Sequence, residues 1–142
     1  MTPRNLALAL AALPLTLAAC APNDPAVEAA RAQAAINAAP AATVLGAGQS
    51  CINRSQVRGT VIRSDRVIDF EMTGGKVYRN TLRNSCPGLN FDRAITYETS
   101  IDQLCTPQII YSLQTIGGNL QRGAGCSLGE FVPVEYVKKA KG

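Results

Sequence analysis

The chain has 142 residues and a formal net charge of +4, from fourteen Lys and Arg against ten Asp and Glu, and it contains neither His nor Trp. This length allows one modest domain, and so small a positive charge, spread along the chain, does not indicate a nucleic-acid partner. Because His is absent, Ser-His-Asp and Cys-His catalysis are excluded, and the commonest metal ligand is missing.

The N-terminal residues have the organisation of an export signal. Arg4 and the free amine precede an apolar run, Leu6–Leu17, which is shorter than the roughly 20 residues that a membrane-spanning helix needs. Small residues then lead to Cys20. The four residues Leu17–Cys20, Leu-Ala-Ala-Cys, resemble the lipobox of bacterial lipoproteins, Leu-(Ala/Ser)-(Gly/Ala)-Cys, at every position.

The lipobox resemblance implies a lipid anchor at Cys20. In bacterial lipoproteins the cysteine sulfur receives a diacylglycerol, the preceding peptide bond is cleaved, and the new amine is acylated, for example with palmitate. Residues 1–19 would then be a signal peptide, and several acyl chains anchor stably where a single chain is marginal. Ala21 is not the Asp associated with inner-membrane retention, so we expect the outer membrane, facing the periplasm. The alternative is an ordinary secretory signal followed by a chance cysteine.

Residues 20–50 are rich in Ala and contain too few large side chains to build a core. Asp24 is a suitable N-cap with Pro25 at the first helical position, and Ala26–Ala39 is predicted to be helical until Pro40 stops the helix. An isolated helix of this length is marginal in water. We therefore interpret the segment as a partly helical tether, the alternative being a partner-binding helix.

Four cysteines remain once Cys20 is assigned to lipid, and an even number in a small exported domain is typical of a disulfide framework. A zinc site is excluded by the spacing, because four-cysteine sites usually pair their ligands two to four residues apart. A redox motif is excluded because no C-x-x-C is present. Three pairings are possible. Of these we favour Cys51–Cys126 with Cys86–Cys105 nested inside it.

Residues 51–136 are predicted to form the folded domain. Short runs rich in β-branched residues, separated by turns, indicate six strands, at 56–64, 67–73, 76–82, 94–100, 108–116 and 130–137. The glycine-rich residues 117–125 are predicted to be a mobile loop, and 137–142 a frayed basic tail. Six short strands without a long amphipathic helix favour a mainly β fold, either a small antiparallel barrel or a strongly curled sheet.

The second and third predicted strands form the clearest hairpin. A two-residue Gly-Gly turn would mix apolar and charged residues on each face. A three-residue loop at Gly74–Lys76 instead places Met72 opposite Tyr78 and Glu71 opposite Arg79, which separates an apolar face from a charged one. We therefore expect the three-residue loop.

Several blocks between residues 50 and 134 carry a second resemblance. In chain order they are CINRSQVR, IDFEM, YRNTL, SCPGL, LC and GAGCSLGEF. The set resembles a family of short proteobacterial envelope proteins that is known only as a domain of unknown function, and whose members carry a signal or lipoprotein leader. The resemblance implies an envelope location and a disulfide-bearing domain, and it implies no activity, ligand or catalytic residue.

The polar residues give little indication of catalysis. The glycine-rich stretch lacks G-K-[ST], so a phosphate-binding loop is not indicated. Asp69 and Glu71 project to one face of a strand and could flank a glycosidic bond, but a surface ion pair with Arg79 is the simpler interpretation. We therefore expect no enzyme activity and neither a cofactor nor a metal.

Arginines are frequent around the first three strands, at Arg58, Arg63, Arg66, Arg79, Arg83 and Arg93. If they converge, they form a surface for an anionic envelope component; otherwise they are a solvated surface. The contact patch that we expect consists of Tyr78, Arg79, Asn80 and Arg83.

The sequence thus predicts a lipid-anchored, non-enzymatic binding or structural module of the cell envelope, whose partner is an envelope protein or an anionic envelope polymer. The alternatives are a small inhibitor of an envelope-degrading enzyme and a carboxylate-based glycan hydrolase.

Overall fold

A computed structural model of the chain describes residues 24–138. Two α-helices, one 3-10 helix (Arg54–Gln56) and ten strands are present in this range: α1 (Pro25–Asn37), β1 (Ala42–Val44), β2 (Cys51–Asn53), β3 (Val57–Ile62), β4 (Val67–Met72), β5 (Val77–Thr81), α2 (Leu89–Asp92), β6 (Ile95–Tyr97), β7 (Gln103–Cys105), β8 (Ile109–Ile116), β9 (Asn119–Ser127) and β10 (Phe131–Tyr136). The prediction of a mainly β, disulfide-bridged fold is confirmed, with ten strands in place of about six.

The strands pair antiparallel and form three sheets. The largest has the order β1-β10-β5-β4-β3, a second has the order β6-β8-β9, and β2 pairs with β7. The sheets do not close, so the barrel alternative is excluded. Within residues 24–138, we find no helix with both the length and the apolar character needed to cross a membrane.

The hydrophobic core lies against one face of the five-stranded sheet. Side chains alternate along β4, so Ile68 and Phe70 point into the core, and Phe70 meets Phe131 of β10 edge to face with ring centroids 5.3 Å apart. Leu104 of β7 and Ile110 of β8 belong to the same cluster. Full burial of such side chains contributes about 1.5–3 kcal/mol each, which holds the three sheets together.

Helix α1 begins as the sequence predicts. The Asp24 carboxylate accepts a hydrogen bond from the Ala26 amide at 2.9 Å, and Pro25 is the first helical residue. The helix ends at Asn37, two residues earlier than predicted, and no residue of it is buried. This is consistent with a helix that contributes little to the core.

The predicted tether extends too far toward the C-terminus. Ala42–Val44 forms strand β1 along the edge of β10, and Gln49 makes a further bridge to Phe131. The prediction that the folded domain begins at residue 51 is therefore wrong, because backbone pairing with β10 recruits residues that have small side chains and no apolar pattern. Pairing of this kind covers the edge of β10 that would otherwise be exposed.

The four domain cysteines form two disulfides, as predicted, but the favoured pairing is wrong. The bonds join Cys51 to Cys105 and Cys86 to Cys126. Cys51 of β2 lies directly opposite Cys105 of β7, with Cα atoms 4.0 Å apart. The nested pairing assumed that the first and last strands are tied together, whereas β2 pairs with β7.

The predicted mobile loop at 117–125 is largely strand β9. It pairs with β8 through a turn at Gly117 and Gly118. Gly123 lies so close to β8 that a Cβ atom at this position would be 2.5 Å from the Ser112 hydroxyl oxygen. Glycine is required there for close approach, so the glycine content indicates packing and not mobility.

The β4–β5 hairpin has a three-residue loop, but the loop is Thr73–Gly75 and not Gly74–Lys76. The Met72 amide donates to the Lys76 carbonyl at 2.8 Å. Gly74 and Gly75 have positive φ angles, 87° and 85°, which glycine adopts without strain. The pairing is therefore shifted by two positions, with Asp69 opposite Arg79. A shift of two leaves every side chain on its predicted face.

Candidate functional site

The face of the five-stranded sheet that is turned away from the core, which we call the outer face, carries both charged and apolar side chains. Alternation along β4 and β5 places Asp69, Val77 and Arg79 on it, while Val134 and Tyr136 come from β10. Two features lie on this face: a charged cluster around Asp69 and an apolar groove over Val77 and Val134.

The charged cluster consists of Asp69, Arg63, Arg79 and Tyr136. Asp69 is fully buried. Arg79 donates from Nε to Oδ1 at 2.8 Å and from Nη2 to Oδ2 at 3.0 Å. Arg63 donates from Nε to Oδ2 at 2.8 Å, and the Tyr136 hydroxyl donates to the same oxygen at 2.9 Å. The cluster therefore ties together β4, β5, β10 and the residue after β3.

Further contacts hold the partners of Asp69 in place. Arg63 donates from Nη2 to the Tyr136 hydroxyl at 2.7 Å, and its guanidinium lies 5.0 Å from the centroid of the Tyr136 ring. Arg79 donates from Nη1 to the Pro40 carbonyl at 3.0 Å. This last bond attaches the segment between α1 and β1 to the outer face.

The pKa values in the cluster follow from burial and hydrogen bonding. Burial alone would raise the pKa of Asp69, but the hydrogen bonds from Arg79, Arg63 and Tyr136 outweigh it and hold the pKa below its ordinary value. Burial, together with the hydrogen bond to Asp69, raises the pKa of Tyr136. For Arg63, burial lowers the pKa, but the bonds to Asp69 and Tyr136 leave it raised overall.

The Asp69 carboxylate already accepts four hydrogen bonds, which limits the acid–base chemistry that it can perform. Both oxygens of Asp69 accept hydrogen bonds, and Oδ2 accepts three. An ionised carboxylate whose oxygens are occupied and buried is a poor proton donor or base, so the pair with Arg79 is a structural clamp. The sequence predicted an ion pair on the surface between Arg79 and a carboxylate of β4. The structure shows this ion pair with Asp69, whose carboxylate is buried.

The apolar groove has a volume of about 490 Å³ and lies between the β4–β5 turn and β10. Val77 and Val134, which are direct cross-strand partners, line it together with Leu45. Lys76 and Lys138 also line it. Its lining further includes Glu135 and Tyr136, whose hydroxyl belongs to the charged cluster.

A second cavity, of about 560 Å³, lies between α1 and the loops that flank β4 and β5. Its lining includes Glu28 and Arg31 of the helix, which pair with each other at 3.1 Å. Opposite them, the Ser85 hydroxyl donates to the Asp65 carboxylate. These four groups are paired within the protein, but Arg66 also lines the cavity, and its buried Nε has no hydrogen-bond partner among the described residues.

The predicted contact patch is not assembled. Tyr78 lies partly buried against the core, whereas Arg79 lies on the outer face in the bond to Asp69. Asn80 is fully buried, donates to the Gly129 carbonyl at 2.8 Å and accepts from the Gly129 amide at 2.9 Å. Arg83 is exposed after β5. Because consecutive residues of a strand point to opposite faces, Tyr78 and Arg79 do not share one surface.

The six arginines converge only in part. Arg63 and Arg79 meet at Asp69, as described. Arg66 donates from Nη2 to the carbonyls of Leu82 and Arg83, at 3.2 and 2.7 Å. The other three are exposed at separate positions of the chain: Arg58, Arg83 and Arg93. The arginines therefore do not form one anion-binding surface.

Sequence reasoning missed the groove and the role of Tyr136. No motif marks either, because Lys76 and Lys138 are 62 positions apart in the sequence and are brought to the same groove only by the sheet. Cys20, the signal peptide at 1–19 and the tail beyond residue 138 lie outside the described residues. In the described part of the chain, no three His, Cys, Asp or Glu side chains come together as a metal site would require.

Comparisons with known proteins return no relative. No protein-family model matches the chain, and the searches of curated proteins and of solved structures found no significant match.

Proposed function

We propose that this chain is a lipid-anchored module of the bacterial cell envelope, attached through Cys20 and facing the periplasm, with a non-enzymatic binding or structural role. The observation that carries the proposal is the lipobox at Leu17–Cys20, placed ahead of a domain with two disulfides. Disulfides persist in oxidising compartments such as the periplasm, which fits export by this signal. The resemblance to short proteobacterial envelope proteins supports the same location.

The state of the carboxylates supports a non-enzymatic role. Glycan hydrolysis needs two carboxylates that can reach the substrate, one as an acid and one as a base or nucleophile. Asp69, one of the two carboxylates considered for this role, is buried and bonded to two arginines, so it does not reach a substrate as a free acid or base. The outer face, with its groove and lysines, is instead suited to contact with another envelope component.

Intact-mass analysis of the purified mature protein tests the proposal. We expect a chain that starts at Cys20 and carries the mass of its acyl chains, with four additional alkylatable thiols that are exposed only by reduction. Cys20→Ala should abolish acylation, whereas the matched variant Ala18→Ser keeps an allowed lipobox and should be processed normally. Normal-sized, membrane-bound mature protein from Cys20→Ala would contradict the lipid anchor.

A further inference from the structure

Two of the chain's lysines line the apolar groove. The chain has only four: Lys76 and Lys138 line the groove, and Lys139 and Lys141 follow Lys138 in the sequence. Within residues 24–138, neither Lys76 nor Lys138 forms an ion pair. The one acidic side chain in the groove lining is Glu135, so the positive charge there is in excess.

Exposed aliphatic side chains lie beside these lysines. Val44 and Leu45, at the β1 edge, are 61% and 62% exposed, and Val137, just after β10, is also exposed. Leu45 lines the groove itself, and Val44 is the cross-strand partner of Val134, which also lines the groove. Large apolar side chains grouped on a surface mark a place of contact with a partner.

Exposed aliphatic residues at a groove that two lysines line match the chemistry of a membrane surface. The aliphatic groups enter the boundary between headgroups and acyl chains, while lysines interact with anionic phosphates. A second exposed apolar group, formed by Phe91, Ile116 and Leu120, has no excess of positive charge from its α2 neighbours, because the exposed Arg93 follows Asp92. The charge therefore singles out the groove end of the outer face.

We propose that the groove end of the outer face docks on an anionic lipid bilayer, with Leu45 and Val44 in the interface and Lys76 and Lys138 against the phosphate headgroups. The docking proposal rests on the proposed function in one respect: the lipid anchor at Cys20 holds the domain close to a bilayer. Docking orients the domain on the membrane, whereas the anchor alone would leave it free to rotate.

The absence of Trp from the chain provides a clean test. The full mature protein is reconstituted in vesicles of phosphatidylcholine alone or with phosphatidylglycerol, and a single Trp is introduced as Leu45→Trp or, as the matched control, Leu120→Trp. Both leucines are exposed to a similar degree, 62% and 64%, so neither change should disturb folding. Trp fluorescence is then measured with and without brominated acyl chains, which quench a Trp that enters the interface.

We expect Leu45→Trp to be quenched in vesicles with phosphatidylglycerol and much less in neutral vesicles, while Leu120→Trp is unquenched in both. An unquenched Leu45→Trp, or equal quenching of Leu120→Trp, would overturn the docking. Flotation of the same samples separates the two proposals. Protein that floats with both vesicle types but shows no quenching retains the anchor and refutes docking, whereas flotation with anionic vesicles alone refutes the anchor and supports docking.

Charge variants test the role of the lysines. Each lysine near an anionic surface strengthens membrane attraction by about five-fold, so Lys76→Gln with Lys138→Gln should reduce the docked-to-free ratio of Leu45→Trp by about 25-fold. Arg83→Gln removes an exposed positive charge beyond the C-terminal end of β5, opposite the end that Lys76 precedes, and should leave the quenching unchanged. Equal loss in both variants would show that net charge, and not this surface, attracts the membrane.

Discussion

Asp69 and Arg79 are direct cross-strand partners on β4 and β5, and Arg79 donates to both oxygens of the buried carboxylate, at 2.8 and 3.0 Å. Arg63 and Tyr136 complete the set of donors from two further parts of the sheet. A charged group taken out of water is tolerated only when it is paired and hydrogen-bonded. The outer face therefore depends on Asp69 for its stability.

Asp69→Asn should lower the free energy of unfolding by about 2–4 kcal/mol, because two guanidinium groups lose their counter-charge. This is somewhat less than the usual cost of breaking a fully buried pair, since both arginines keep some contact with water. Urea denaturation followed by circular dichroism measures the change. The control is Glu98→Gln, which removes an exposed ion pair with Arg122 and should leave the midpoint unchanged. Equal midpoints for wild type and Asp69→Asn would contradict the clamp.

Stability should fall in acid through the titration of Asp69. Its pKa is held below the ordinary 3.8, so the folded state binds a proton less readily than the unfolded state. The resulting stabilisation is present above the ordinary pKa and is lost as the pH falls through the lower, folded-state pKa. Denaturation midpoints measured down the pH scale should therefore fall more steeply for the wild type than for Asp69→Asn. Parallel curves would show that other groups cause the acid sensitivity.

The two disulfides should differ in their resistance to reduction. Cys86 is fully buried and Cys126 nearly so, whereas Cys51 and Cys105 are only half-buried on the β2–β7 pair. Limited reduction under native conditions should therefore open Cys51–Cys105 first, because a reductant must reach a sulfur atom to attack it. Alkylation followed by peptide mass mapping identifies the freed thiols. The same reduction in denaturant should remove the difference, and early release of Cys86 under native conditions would contradict the burial.

Gly123→Ala should destabilise the protein by about 1–3 kcal/mol, since its new Cβ would press on the Ser112 hydroxyl of β8. Gly59→Ala in β3 is the matched control, because its Cβ would have only an ordinary contact at 4.0 Å with Glu71. Thermal unfolding compares the two variants. Hydrogen exchange of residues 119–127 adds a direct check: amides paired with β8 should be protected, whereas a mobile loop would exchange rapidly.

The contrast between Tyr78 and Arg79 shows how far sequence reasoning reaches on this fold. The alternating pattern correctly predicts that neighbouring residues of β5 face opposite sides of the sheet. The expected contact patch combined Tyr78, Arg79 and Asn80, although alternation places Arg79 on the opposite face from the other two. The same pattern does not determine the register. Two loops of equal length fit the glycines, and only the structure pairs Arg79 with Asp69 instead of Glu71.

Local sequence by itself determined the features that depend on near neighbours. They are the start of α1 at its Asp24 cap, the mainly β character, and the engagement of all four domain cysteines in disulfides. The tertiary structure decided which strands became neighbours, and with them the pairing of Cys51 with Cys105 and the placing of Lys76 and Lys138 at one groove. The physical reason is that helix caps and strand propensity act over a few residues, whereas strand order results from burial of the whole core.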